Sequence, residues 1–269
     1  MPKRNITEFQ QLIWDFYQKN KRAFPWRETT DPYKILVSEI MLQQTQADRV
    51  VAFYENWTKR FPNFKTLAQA KFSDIYPYWQ GLGYNRRALN LQKTAQKVTN
   101  EFGGKLPQEI TELEKLPGIG PYTARAVSIF SFNTPIFCIE TNIRRVFIHH
   151  FFPKKKIITD AEILKIAELA FDQQNSREWH WALMDYGAHL KSQIINPNRR
   201  AKNYSVQSKF EGSIRQIRGA ILKQLLTKNM TATELVKMIG KDAKKTKEIL
   251  KTLESEGLIK QHKKRYCLN

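Results

Sequence analysis

The sequence predicts an all-α chain that ends in a small module of three helices and a hairpin. Three observations carry that prediction. Apolar residues recur at helical spacing through the first half, with no alternating strand pattern there. Paired glycines in Leu116-Pro117-Gly118-Ile119-Gly120 divide two of the helices. Beyond a polar, basic stretch at about 196–212, the pattern shifts to three short helices and two short strands.

Phe9, Leu12, Ile13, Phe16 and Tyr17 mark the first amphipathic helix. Phe24-Pro25-Trp26-Arg27 breaks it. Asp31 then serves as N-cap, with Pro32 at the first position of a second helix carrying Ile35, Leu36, Ile40, Met41 and Leu42. Further helices are expected near 45–60, 64–70, 72–79, 85–102 and 109–115, punctuated by Phe61-Pro62 and Gly103-Gly104. In the C-terminal module, Ile217, Ile221, Leu222 and Leu225 make one helix. Thr233–Ile239 makes a second, capped by Thr231 or Thr233, and Lys244–Glu256 a third, ended by Gly257. Residues 258–260 and 265–268 read as strands about a basic turn, Gln261 to Lys264. Three helices followed by a hairpin is the order of a winged helix.

The 269 residues are 41% hydrophobic and 12% aromatic, enough for a packed core. A formal charge of +20 points to a polyanionic partner, because each phosphate neutralised by Lys or Arg releases a counterion. An RNA binder or a Lys-rich proteome would give the same balance. Cys138 and Cys267 are too few for a four-cysteine metal site, and Cys138 sits in an apolar run as a small core residue. No run of about 18 apolar residues exists, and Met1-Pro2-Lys3-Arg4 lacks the apolar core of a signal peptide, so a cytoplasmic protein without membrane association is expected.

At Gly118-Ile119-Gly120-Pro121 a helix ends and another begins, leaving free N–H groups at a positive dipole end. A phosphate can approach main chain that carries no side chain, although a tight turn between core helices uses the same residues. Two acids have unusual neighbours. Glu39 lies in an apolar helix that turns amide-rich, and Glu140 follows Ile136-Phe137-Cys138-Ile139. Such carboxylates are costly unless paired or used. Glu140 could instead cap a helix, and Glu39 could pair with Arg27 or Arg49.

Together these features resemble the helix-hairpin-helix DNA glycosylases, and the MutY-type adenine glycosylases in particular. The resemblance covers about residues 7–195. It rests on the run Ser38-Glu39-Ile40-Met41-Leu42-Gln43-Gln44-Thr45-Gln46, on Trp79-Gln80-Gly81-Leu82-Gly83-Tyr84, on the hairpin, on Asn142 with Arg145-Val146, and on Met184-Asp185-Tyr186-Gly187-Ala188. It implies a glycosylase domain over 1–205, made of a six-helix subdomain at about 30–136 and a second from 1–29 and 137–205 with a cleft between them. The winged helix would follow over 210–269.

The resemblance also implies roles. Glu39 would protonate the departing base, Glu140 would stabilise the cationic sugar, Tyr122 would line the active site, and Asn142 would hold the second carboxylate and water. Gln44 would wedge into the duplex beside Gln43. Asn85 stands where relatives often carry a second aromatic wedge, and Arg86 and Arg87 would grip phosphate. Gly118, Ile119 and Gly120 would hold the strand, with a candidate monovalent-cation site at the carbonyls of Leu116 and Ile119. Trp26, Trp79 and Tyr84 read as core or pocket walls.

Three departures bear on function. The family's second carboxylate is Asp, whereas Glu140 adds a methylene that can move it by up to about 1.5 Å. Tyr122 stands where imine-forming members carry Lys, so a monofunctional enzyme that leaves an abasic site is implied. No cysteine follows Ala188 before Cys267, so no [4Fe–4S] cluster and no other cofactor is expected, with Lys191, Arg199, Arg200 and Lys202 meeting phosphate instead. The family domain that reads oxidised guanine is not expected either, with the winged helix, whose basic turn carries Lys263, Lys264 and Arg265, in its place. Such a turn suits a DNA backbone, although these modules also mediate protein contacts. The expected partner is double-stranded DNA with a mismatched or damaged base, bound by a monomer. Adenine opposite guanine or 8-oxoguanine is the first substrate. Uracil or thymine opposite guanine, and a catalytically altered DNA-binding protein, stay open.

Overall fold

The computed structural model describes residues 5–240 and 242–269; the Met1-Pro2-Lys3-Arg4 start lies outside them. Phe9, Ile13 and Tyr17 recur every fourth residue and bury one face of α1 (Ile6–Asn20), whose first turn is capped by the Asn5 side chain. A 3₁₀ turn, Pro25–Arg27, leads into α2 (Pro32–Leu42). There the Asp31 carboxylate accepts from the amide of Tyr33 at 2.9 Å, the capping role expected of it. Next come α3 (Ala47–Arg60), α4 (Phe64–Gln69), α5 (Phe72–Trp79), α6 (Arg86–Glu101) and α7 (Ile110–Glu114). After the hairpin follow α8 (Pro121–Phe132), α9 (Thr141–Phe151), α10 (Asp160–Ala167) and α11 (Ser176–Gln193), then a 3₁₀ turn at Pro197–Arg200. The basic stretch that follows carries no regular element up to α12 (Ile214–Thr227).

The C-terminal module is a winged helix. Its elements are α12, β1 (Met230–Thr231), α13 (Ala232–Ile239), α14 (Ala243–Ser255), β2 (Ile259–His262) and β3 (Arg265–Leu268). The antiparallel sheet has the order β1-β3-β2. β1 is not legible in sequence, because two residues are too few to show an alternation. Thr231 caps α13 reciprocally with Glu234, so of the two candidate caps it is the one used.

The chain forms two compact units. One comprises residues 1–35, 108–114 and 119–206. Its core is built where α1 and α11 pack on α9, with the Phe9 ring against Phe147, Phe151 and Trp179. Asp185, 3% exposed, receives Arg22 and a two-pronged Arg27. Those guanidiniums hold its carboxyl below the usual range against the opposing effect of burial, and tie the 21–27 segment to α11.

The other unit comprises 36–107, 115–118 and 207–269. Trp57 and Trp79 meet edge to face in its core, and α4 packs along α6. The winged helix belongs to this unit. The amide of Ser73 donates to the carbonyl of Asn269 at 3.0 Å, and Leu89 lies against Gly257. Arg215 of α12 stacks over the Tyr84 ring and donates to its hydroxyl at 3.1 Å.

Candidate active site

Glu39 is 6% exposed on α2, between Ser38 at 1% and Ile40 at 2%. A run this apolar places the carboxyl inside the unit rather than on a solvated face. The two arginines that its sequence offers as partners are engaged elsewhere. Arg27 directs its donors to Asp185 and the Arg22 carbonyl, and Arg49 donates to the carbonyl of Gly81. Beyond α2 the chain reverses sharply. Gln44 is exposed with φ of 58°, a left-handed conformation that costs a non-glycine residue roughly 1 kcal/mol or more. Gln43, half-buried, precedes it.

Glu140 is the N-cap of α9, as the capping alternative held. One carboxylate oxygen accepts from the amides of Asn142 at 2.6 Å and Ile143 at 2.8 Å; the other accepts from Nδ2 of Asn142 at 3.2 Å. The extra methylene therefore still reaches the first-turn amides. Arg145, 3% exposed, fixes the Asn142 amide by donating to its Oδ1 at 2.6 Å and to the Gly187 carbonyl at 2.6 Å. The resemblance pairs Asn142 with the Glu140 carboxylate, and sequence gives no role to Arg145 behind them. Its signal is the spacing, because residues three apart share a helix face. Burial pushes the Glu140 carboxyl above its usual range, while the two amides, Arg145 and Arg144 pull it down.

The extended approach to Glu140 is pinned too. Buried His180 donates from Nδ1 to the Ser176 carbonyl at 2.7 Å, and its Nε2 accepts from the Cys138 amide at 3.2 Å. Burial lowers the imidazole to about 4, so it is neutral. Cys138 is buried, as expected.

In the hairpin Gly118 has φ of 80°, and a β-carbon there would lie 2.8 Å from that of Asn90. Both backbone and packing require glycine. At Gly120, the N-cap of α8, a β-carbon would meet open space. Ile119 and Leu116 are buried anchors, and Thr94 donates to the Pro117 carbonyl at 2.8 Å. Tyr122 is half-buried in the first turn of α8.

The chain has relatives. Residues 37–171 match the model of the HhH-GPD superfamily base excision DNA repair protein. The chain belongs to that superfamily. Adenine DNA glycosylase of Buchnera aphidicola (from Schizaphis graminum) is 36% identical over 189 residues, 68% of this chain and 54% of that protein. That of Mycobacterium tuberculosis is 42% identical over 144 residues, 53% of this chain and 47% of the relative. The chain thus spans about half the length of the curated relatives it matches. Among solved structures, a thermostable thymine-DNA glycosylase superposes with a TM-score of 0.63 at 30% identity, covering 68% of this chain and 86% of that one. A trapped endonuclease III–DNA covalent intermediate gives 0.61 at 17% identity over 70% and 87%, which speaks to the fold alone.

Three residues of this HhH-GPD chain lie elsewhere than its sequence suggests. Arg87, expected to grip phosphate, is 9% exposed. Its guanidinium donates to the carbonyls of Ile40, Met41, Gln43, Leu82 and Gly83 and to the Thr45 hydroxyl, closing the C-terminus of α2. Burial lowers it to about 10, still fully charged at neutral pH. Asn85, placed at a wedge position, is 7% exposed because the chain turns inward to start α6. Arg200 donates to the carbonyls of Phe152, Pro153 and Lys155 and so closes the loop after α9. Arg86, Lys191, Arg199 and Lys202 are exposed. Trp26 and Trp79 are core, while Tyr84 is 38% exposed. Among the described residues no group of three or more His, Cys, Asp or Glu is placed to hold a metal ion, and no helix is long and apolar enough to cross a membrane.

Proposed function

We propose that this chain is a monofunctional DNA glycosylase that hydrolyses the N-glycosidic bond of a mispaired base, adenine opposite guanine or 8-oxoguanine first, and leaves an abasic site. Glu39 carries the reading: a carboxyl 6% exposed in an apolar helix suits a proton donor better than a surface contact. Glycosylases named for adenine among the relatives point to the base.

In this mechanism Glu39 delivers its proton to the base, which leaves with the electron pair of the breaking C–N bond. The sugar develops oxocarbenium character. Glu140 meets that charge. Its carboxyl, desolvated in the resting protein, is favoured in the ionised form once a cation appears beside it, so its help is greatest in the transition state. Water then adds to the sugar carbon and passes a proton to the Glu39 carboxylate, which restores the acid for the next turnover. Tyr122 offers a hydroxyl rather than an amine, which favours hydrolysis over imine formation. Gln44 is the wedge residue on this reading, Gln43 supports it, and the amides about Gly118, Ile119 and Gly120 with exposed Arg86, Lys191 and Arg199 meet phosphates. The two cysteines of this sequence do not supply the four thiolates of an iron–sulfur cluster, and the proposed enzyme uses none. The proposed form is a cytoplasmic monomer on duplex DNA.

A second reading, thymine or uracil opposite guanine, is favoured by the structural match to a thymine-DNA glycosylase. Excision followed by alkaline strand cleavage on A:8-oxoG, A:G, T:G and U:G duplexes separates the two. Adenine release that disappears in Glu39→Gln, with DNA binding retained, supports the proposal. Thymine or uracil release moves it to the second reading. No release from any duplex overturns the enzyme and leaves a DNA-binding protein.

A further inference from the structure

We propose that the winged helix is a second, sequence-independent DNA-backbone clamp, formed by the lysine face of α14 and the Lys263-Lys264 tip of the hairpin. The segment 207–269 carries fifteen Lys and Arg against six Asp and Glu. On α14, Thr246, Ile249, Leu250 and Leu253 face the core. Lys244, Lys247 and Lys251, three and four apart, form one exposed line on the other side, with exposed Glu248 beside it. Among the described residues none of these lysines, nor Lys263 or Lys264, takes part in an ion pair. Arg265 differs: it bridges to Glu234 and donates to the Asn229 carbonyl, so it braces β3 and stands outside the clamp.

The hairpin tip adds an independent observation. His262 pairs with Arg265, leaving a two-residue loop in which Lys263 and Lys264 have φ of 46° and 64°. Asn-Gly adopts that turn without strain, whereas lysine does not. Two strained, exposed, uncompensated cations at a turn tip are what a polyanion contact requires and what stability disfavours.

The occupant follows from the chemistry of the face. Protein interfaces are depleted of lysine and built on apolar anchors, and this line has none. The planar forked and amide groups of Arg, Asn and Gln, which supply most two-pronged contacts to base edges, are missing from α14. Lysine alone recognises phosphate as a point charge. The module is packed onto its unit through Ser73–Asn269 and Tyr84–Arg215, so its contacts add to those of the same compact unit rather than acting through a loose tether.

The test is binding of the full chain to a fully paired 30-base-pair duplex across a salt series, a probe that requires no excision chemistry. The triple variant Lys244→Gln, Lys247→Gln, Lys251→Gln should bind roughly tenfold more weakly near 0.1 M salt. Its slope of log affinity against log salt should be shallower by about 0.9 for each phosphate that no longer meets a lysine. A second variant, Lys263→Asn with Lys264→Gly, guards against misfolding: its thermal midpoint should hold or rise while its salt slope falls. Wild-type affinity and slope in both variants would overturn the clamp. So would a weakening that changes with duplex sequence, since that marks base reading.

Discussion

Gly187 of α11 lies against the backbone of Asn142, so close that a β-carbon would sit 2.3 Å from the Asn142 carbonyl oxygen. That contact joins α11 to the first turn of α9, where Glu140 is held. Gly187→Ala forces the helices apart. Overpacking of this kind costs typically about 1–3 kcal/mol, and here backbone rather than a flexible side chain must move. The urea midpoint should fall accordingly. Excision measured well below that midpoint should fall by more than the folded fraction explains, because Asn142 and Glu140 shift together.

Arg86 and Arg87 are neighbours with opposite consequences. Arg87→Met strips the C-terminus of α2 of its donors and leaves several buried carbonyls without a partner, a loss of about 2–4 kcal/mol. Arg86→Met removes only an exposed cation at the start of α6, so stability should hold within about 0.5 kcal/mol while the salt slope of DNA binding becomes shallower. Thermal melting and binding titrations on the pair check both. Equal stability losses would place Arg86 in the structure rather than on the surface.

That pair shows what the sequence can and cannot reveal. Helix positions and caps are legible because they depend on local spacing: Asp31, Thr231 and Gly257 act where their chemistry puts them. The capping role of Glu140 is also local. What escapes depends on contacts between distant residues. Nothing near Arg87 announces that the carbonyls of Ile40 and Met41, some 46 positions away, turn an arginine inward. Arg200 and Asn85 mislead in the same way, since charge and polarity suggest surface unless a tertiary partner is known. Arg145 is the converse, visible within a motif but without a role until its donors are seen on Asn142 and Gly187.

His180 makes the fold acid-sensitive. Its unfolded value is near 6.5 and burial lowers it to about 4 when folded, so between those limits the unfolded chain binds the extra proton. Stability from this group is fully present above about pH 6.5, falls as the pH drops, and is lost by about pH 4, on the order of 3 kcal/mol in all. Asp185 acts in the same direction at lower pH, because its folded carboxyl is held below its unfolded value. Denaturant midpoints from pH 7 to 4.5 should show the His180 slope, and His180→Gln should flatten it. A slope unchanged in that variant assigns the proton elsewhere.

The Arg145–Asn142–Glu140 chain makes the last prediction. Asn142→Asp keeps the shape and still accepts from Arg145, but it replaces the Nδ2 donor 3.2 Å from Glu140 with a carboxylate oxygen. A like charge at that distance raises the Glu140 carboxyl further. If ionised Glu140 steadies the sugar cation, more of the enzyme is then in the inactive, protonated form at any given pH. The acid limb of the single-turnover excision profile should move to higher pH, with the rate partly recovered in alkali. A uniform fall in rate with an unmoved limb would mean that Asn142 acts only in packing. Glu140 would then be a helix cap without a part in the chemistry.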